Sequence, residues 1–189
     1  MQPVSEENKI FEKQLYFEEN VEGNFDKCQF VHCDFSEAKI QHSNFYECEF
    51  KHCNFSNAKV IRTSFTDCKF SDSKLIGITF DLCGDFYYTV DFNKCQFDYA
   101  SLYKLNLRNA HFLHCNFRET DFSETDFHTA LFDVCEFTGA HFENTNLEWA
   151  DLRTSRNYLI DPDRNKIRKA KFSMPHALGL LYKYDISIE

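Results

Sequence analysis

Large apolar side chains stand at Phe25, Phe30, Phe35, Ile40, Phe45, Phe50, Phe55, Val60, Phe65, Phe70, Leu75 and Phe80, one every five residues. After a slip of two residues the beat resumes at Phe92, Phe97, Leu102, Leu107, Phe112, Phe117, Phe122, Phe127, Phe132, Phe137, Phe142, Leu147 and Leu152. A five-residue period matches neither an amphipathic helix at 3.6 nor a strand at 2.0, so a run of this length specifies a solenoid. Two positions before the large residue there is almost always a small one, as at Cys28, Cys33, Ala38, Ser43, Cys48 and Cys53, and again at Cys95, Ala100, Ala110, Cys115, Ala130, Cys135, Ala140 and Ala150. Two inward positions of unequal size leave three outward ones. One short extended segment and one turn per unit, with four units per coil, predict an all-β fold: a right-handed quadrilateral β-helix.

If four units close a coil, residues 20 apart must stack, and like falls on like. Cys28, Cys48 and Cys68 share a column, as do Cys33 and Cys53, then Cys95, Cys115 and Cys135, and then Ala110, Ala130 and Ala150. Coils rise by about 4.8 Å, so two halves of about three coils each make a rod of about 30 to 35 Å. The chain reads as one domain. Residues 1–24 form a cap or irregular first coil, to which Ile10, Phe11, Leu15 and Phe17 contribute. Residues 25–152 are the β-helix, with a phase break at 81–91, and residues 153–189 hold a turn, a helix and a tail. Ser173-Met174-Pro175 reads as the start of a short C-terminal α-helix through HALGLLYKY, with Ser173 as cap and Pro175 in the first turn. Ile186 and Ile188 follow in an alternating tail.

All nine Cys, Cys83 included, fall in the small-residue register. Stacked Cβ atoms about 4.8 Å apart and aimed alike do not suit a disulfide, which needs about 3.8 Å, so the thiols read as buried small hydrophobes. Reduced thiols, an odd count, and no hydrophobic leader or long apolar run fit a cytoplasmic protein. His32-Cys33, His52-Cys53 and His114-Cys115 look like metal-ligand pairs, yet each Cys points inward and the His before it outward. No CxxC spacing occurs, so no metal or other cofactor is expected. No phosphate-binding glycine loop, nucleophile elbow or acid–base cluster is present, and the chain does not read as an enzyme.

Charge is distributed unevenly. Residues 25–80 hold seven acids and seven bases, and residues 81–118 hold four of each. Residues 119–152 hold Glu119, Asp121, Glu124, Asp126, Asp133, Glu136, Glu143, Glu148 and Asp151 with no Lys or Arg, a charge equal to the −9 of the whole chain. This stretch covers roughly 8 Å of axis at the strand spacing, over which duplex DNA presents about five phosphates. Asp121, Asp126 and Asp151 occupy a turn position that Asp favours for local reasons. Glu119, Glu124, Asp133, Glu143 and Glu148 occupy positions where Lys serves equally well, as at Lys39, Lys51 and Lys59. The charge is spread over four faces, and excluding bases there points to a cationic partner and against direct binding of nucleic acid.

The phase break reads DLCGDFYYTVD, and its consecutive aromatics Phe86, Tyr87 and Tyr88 cannot all face inward. An exposed one would anchor a partner. At the other end, Leu178, Leu180, Leu181, Tyr182 and Tyr184 are more apolar surface than sealing one coil requires. A two-fold homodimer through this end would bury the excess and give a double rod of about 70 Å.

The units CDFSE, CNFSN, TDFSE and NLEWA resemble the pentapeptide-repeat family. The long rod, its single phase break and the C-terminal stretch YLIDPDRNKIRKAKFSMPHALGLLYKYDISIE are similar to its quinolone-resistance members of the Qnr and mycobacterial MfpA type. That resemblance implies a homodimeric DNA mimic that binds DNA gyrase, with topoisomerase IV as a second target, and protects it from quinolones. No insertion long enough for a projecting loop interrupts residues 25–80, unlike the loop-bearing members. The alternative is a pentapeptide-repeat scaffold, or a self-immunity protein against a gyrase-targeting peptide toxin, whose partner reads shape or the aromatic break.

Overall fold

The computed structural model describes residues 4–80, 86–87 and 90–187. Over them the chain winds as a parallel solenoid with four faces. Face one is the sheet of strands Val4–Glu7, Gly23–Asp26, Asn44–Tyr46, Ser64–Thr66 and Phe86–Tyr87. Face two joins Ile10–Glu12, Gln29–Val31, Glu49–Lys51, Lys69–Ser71, Asp91–Asn93, His111–Leu113 and Leu131–Asp133. Face three is held by single bridges from Leu15 through Asp34, Asn54, Lys74, Gln96, Asn116 and Glu136 to Arg156. On face four, strands Asn20–Val21, Lys39–Gln41 and Lys59–Ile61 lead into bridges at Thr79, Ser101, Asp121 and His141.

The coil-to-coil register is the expected one: Phe25 pairs with Phe45 and Phe45 with Phe65, and Phe92 pairs with Phe112 and Phe112 with Phe132. A ring typically stacks on the ring one coil below, as for Phe35 on Phe55 at 4.7 Å and Phe112 on Phe132 at 5.0 Å. It also meets the ring of the adjacent face edge-on, as Phe45 meets Phe50 at 5.4 Å and 70°. Both are favoured aromatic geometries, which makes Phe suited to a floor whose repeat is fixed by the backbone.

The small-residue column contributes more than space. The Cys48 and Cys53 thiols donate to the Phe25 and Phe30 carbonyls, each at 3.3 Å. Thr120 and Thr125 hydroxyls do the same toward Phe97 and Leu102 at 2.7 Å. Cys, Ser and Thr are therefore interchangeable there as small side chains with one inward donor. The eight described cysteines are buried and unpaired; Cys83 lies outside the described residues. Burial pushes the Cys68 and Cys115 thiols well above their ordinary value.

Two residues past nearly every large one among the described residues, the backbone turns the corner with positive φ, from 45° at Arg62 to 71° at Gly139. L-residues resist this conformation, at a cost of roughly 1 kcal/mol each. A hydrogen bond to the coil below offsets it: the His32 amide donates to Lys51 and that of Glu47 to Thr66, at 2.9 and 2.8 Å. Only five Gly occur in the chain, so most corners carry ordinary residues, including the β-branched Val134 at φ 54°.

Three local departures matter. Residues 4–21 form a full coil, but its register to the next is 19 residues, pairing Phe11 with Phe30, Val21 with Ile40 and Leu15 with Asp34. Phe11, Tyr16 and Val21 are the inward residues; Ile10, Leu15 and Phe17 face solvent. At the phase break, Phe65 pairs with Phe86 and Lys69 with Asp91, so one extra residue is absorbed before Phe86 and one after Tyr87. The expected C-terminal α-helix is instead two short 3-10 helices, His176–Leu180 and Tyr182–Tyr184. Ser173 donates its hydroxyl to the Arg153 carbonyl rather than capping. The Gly179 carbonyl accepts from the Ile160 amide at 3.2 Å, and a Cβ at Gly179 would fall 2.0 Å from the Tyr158 carbonyl oxygen. Docking thus takes the carbonyl that an α-helix would use and presses the segment onto the last coil.

Two stability outcomes follow from this packing. Phe50, stacked on Phe30 above and Phe70 below, leaves a cavity between those two rings when truncated. Phe50→Ala should cost about 3–5 kcal/mol in chemical denaturation. Val134→Asn, which places a residue tolerant of positive φ at an exposed corner, should instead gain about 1 kcal/mol in the same measurement.

Candidate anionic interface

Outward side chains come from the two residues flanking each inward large one and from the corner residue after them. Of the nine carboxylates expected to form the anionic surface, Asp126 and Glu148 fall on face one and Asp133 and Asp151 on face two. Glu119 and Glu136 fall on face three, and Asp121, Glu124 and Glu143 on face four. The structure therefore brings five together along two adjoining faces and sends four elsewhere. Asp161 and Asp163 continue face four in the last coil.

Bases one coil away meet many of these acids. Arg156 pairs with Glu136 at 2.7 Å, Arg164 with Glu143 at 3.1 Å, and Arg108 with Asp126 at 3.0 Å. Lys104 and the Tyr103 hydroxyl meet Glu124 at 3.5 and 2.9 Å, and Asp151 is held by Arg153 and Lys171. Asp133 accepts from Thr154, Asp121 from the Ser123 amide and hydroxyl, and Glu119 lies 4.0 Å from His141 and against Gly139. Partial burial pushes Glu136 up, but hydrogen bonds from Thr138, Asn157 and Arg156 outweigh it and hold its carboxyl below the ordinary range. The hydrogen bond from Arg153 holds Asp151 low in the same way. Exposed pairs of this kind remain available to exchange for a stronger external cation.

These pairings escaped a reading by linear window, yet the 20-residue register carries them: Arg156 follows Glu136 by 20, Lys171 follows Asp151 by 20, and Lys104 precedes Glu124 by 20. The outward aromatics Tyr99, Tyr103 and Trp149 were likewise passed over, although each sits at an outward position of the repeat. His32 and His52 stack on the surface at 4.8 Å while Cys33 and Cys53 point inward, so neither His-Cys pair converges on one point.

At the break, the backbone of Phe86 and Tyr87 extends face one; their side chains and all of Tyr88 lie outside the described residues. At the C-terminal end, Leu178, Leu181 and Tyr182 line one shallow hollow with Asp185 and Ile186, and Tyr184 is exposed. Leu180 turns inward and packs against the core. Lys183 fastens this segment to the last coil, pairing with Asp161 at 2.6 Å and with Asp163. Among the described residues no helix is long and apolar enough to cross a membrane.

A family model described as the pentapeptide repeat region matches residues 21–83 and 87–157. No curated protein sequence matches the chain. Among solved structures, a trypsin-treated variant of QnrB1, a plasmid-mediated fluoroquinolone resistance protein, superposes with a TM-score of 0.61 at 16% identity, covering 99% of this chain and 98% of its own. HetL, involved in heterocyst differentiation regulation in the cyanobacterium Nostoc sp. strain PCC 7120, superposes at 0.51 with 12% identity, covering 90% and 87%. At such identities the likeness is one of fold.

The C-terminal latch has a defined pH range. The hydrogen bond from Lys183 holds Asp161 below its ordinary value, and Asp161 in turn raises Lys183. The stability the lowered carboxyl adds is present above the ordinary carboxylate range and is lost as pH falls through its lowered value. The protection factor of the Ile160 amide, which donates to Gly179 across the joint, taken against an unstructured peptide at the same pH, should be high at neutral pH and fall in acid. In Lys183→Met it should be low at both.

Proposed function

The chain belongs to the pentapeptide repeat family, and from that premise we propose that it is a DNA mimic that binds a type II topoisomerase, DNA gyrase first and topoisomerase IV second, and shields it from quinolones. The observation that carries this reading is the run of Glu119, Asp121, Glu124, Glu136 and Glu143 along faces three and four, which Asp161 and Asp163 extend. Carboxylates repeating at the coil rise along one edge of a rod offer a basic groove what a phosphate backbone offers it. QnrB1, a fluoroquinolone resistance protein whose fold this chain shares over nearly its whole length, is in keeping with the quinolone part of the reading. In this reading the protein works by occupancy, without a catalytic step or cofactor, in the cytoplasm where its buried thiols stay reduced.

A second copy completes the assembly. Leu178, Leu181, Tyr182 and Tyr184 stand exposed at the C-terminal end, and a two-fold there gives a rod of twice the length with an acidic edge on either side of its centre. The break aromatics Phe86, Tyr87 and Tyr88 are the candidate apolar anchor for that partner. The competing reading is a scaffold or immunity protein; HetL supports it by showing the same fold in a protein with a different role.

Gyrase supercoiling with a quinolone, with this protein titrated in and a drug-free lane alongside, tests the proposal. Restored supercoiling with drug is expected; loss of activity without drug would make the protein an inhibitor, and no effect on either topoisomerase would favour the scaffold. The variant Glu119→Lys/Glu124→Lys/Glu143→Lys should need at least about tenfold more protein for the same effect, because long-range attraction at the interface is reversed.

A further inference from the structure

The first coil keeps the large inward residues of three faces but breaks the rule of the coils beneath it at one floor position and at three small ones. Where face one has Phe25, Phe45 and Phe65 on its floor, the first coil places Glu6, paired in register with Phe25. The small inward positions Cys28, Cys33 and Ala38 lie beneath Lys9, Gln14 and Glu19, since Gln29, Asp34 and Lys39 donate their amides to those three carbonyls. Cys28, Cys33 and Ala38 are fully buried, whereas Lys9, Gln14 and Glu19 are exposed and Glu6 is ion-paired with Lys9 at the mouth of the barrel. One chain end thus carries a ring of charged and amide side chains at positions that in the coils below are small or aromatic.

Among the described residues the same end is an open β-edge. Strands Val4–Glu7, Ile10–Glu12 and Asn20–Val21 are each the outermost of their sheets, and Phe11 and Tyr16, stacked on Phe30 and Phe35 at 4.8 and 4.6 Å, are only partly covered. Parallel strand edges with apolar residues between them are a ready template for another chain. A chain added there would sit about 4.8 Å above the first coil and strip water from the Glu6, Lys9 and Glu19 charges without replacing it.

We propose that Glu6, Lys9, Gln14 and Glu19 form a stop that prevents the N-terminal end from accepting a second copy of this chain, so that self-association is confined to the other end and stays finite. A rod sticky at both ends would grow into a filament; a rod closed at one end can at most pair. The inference rests on the register of the first coil and holds whether or not the topoisomerase reading does.

The test converts the first coil to the rule of the others. Glu6→Phe combined with Lys9→Ala, Gln14→Ala and Glu19→Ala should associate further, its sedimentation mass rising to at least twice that of wild type across a hundredfold increase in concentration. Wild type should hold one mass over the same range. Glu6→Leu alone, a smaller perturbation at the free end, should show the same rise more weakly. Adding Tyr16→Lys to the fourfold variant should return the mass to that of wild type, which locates the new contact at the N-terminal end. A fourfold variant with the circular dichroism and unfolding midpoint of wild type, and with its mass at every concentration, would overturn the proposal, as would a rise that Tyr16→Lys leaves intact.

Discussion

Backbone hydrogen bonds between coils are the constraint from which the other features follow. Within each unit the extended stretch is four residues or fewer, too short to stand as a strand by itself, and its amides and carbonyls find partners some 20 residues away. Once that ladder is set, each side chain has a neighbour of the same register directly above and below at the strand spacing. Rings must then stack on rings and thiols or hydroxyls on their like. The left-handed corners go with it, because in that conformation the corner amide bonds to the coil below, and this hydrogen bond offsets the strain of a non-glycine residue.

The ladder also decides what the surface charge amounts to. An acid-rich stretch of sequence reads as one anionic block, but in space its residues are dealt around four faces, and those near its ends meet bases from the coil before or after. Glu136 and Glu143 find Arg156 and Arg164 below, and Glu124 and Asp126 find Lys104 and Arg108 above. What remains as a candidate for recognition is narrower than the linear count: an edge formed by faces three and four, with Glu119 and Asp121 at its least compensated part. The break in the repeat does not disturb this, because its two extra residues are divided on either side of Phe86 and Tyr87 and the register resumes at Asp91.

Most of the fold was legible because a period of five over this length leaves little choice. The columns, the burial of the cysteines and the outward histidines all follow from counting. The first coil was not, since continuing the beat backward from Phe25 lands on Leu15 and Ile10; one residue is missing between Val21 and Phe25, so the true inward residues are Tyr16 and Phe11. A single-residue slip exchanges inside for outside, and only pairing with the next coil reveals it. The C-terminal segment was misjudged for a different reason. Ser, Pro and a run of helix formers carry local propensity, whereas its conformation is set by Gly179 against Tyr158 and by the Ile160 amide, partners some 20 residues away. Of the site, the identity of the acids was readable, but their partition among faces and their counter-ions required the register.

The direct test of DNA mimicry is displacement of a labelled DNA duplex from gyrase by this protein, followed at several salt concentrations. The account predicts competitive release, with the protein's half-effective concentration rising as salt screens the charged edge over about 10 Å at 0.1 M. A ternary complex in which duplex and protein stay bound together, or release that is indifferent to salt, would contradict it.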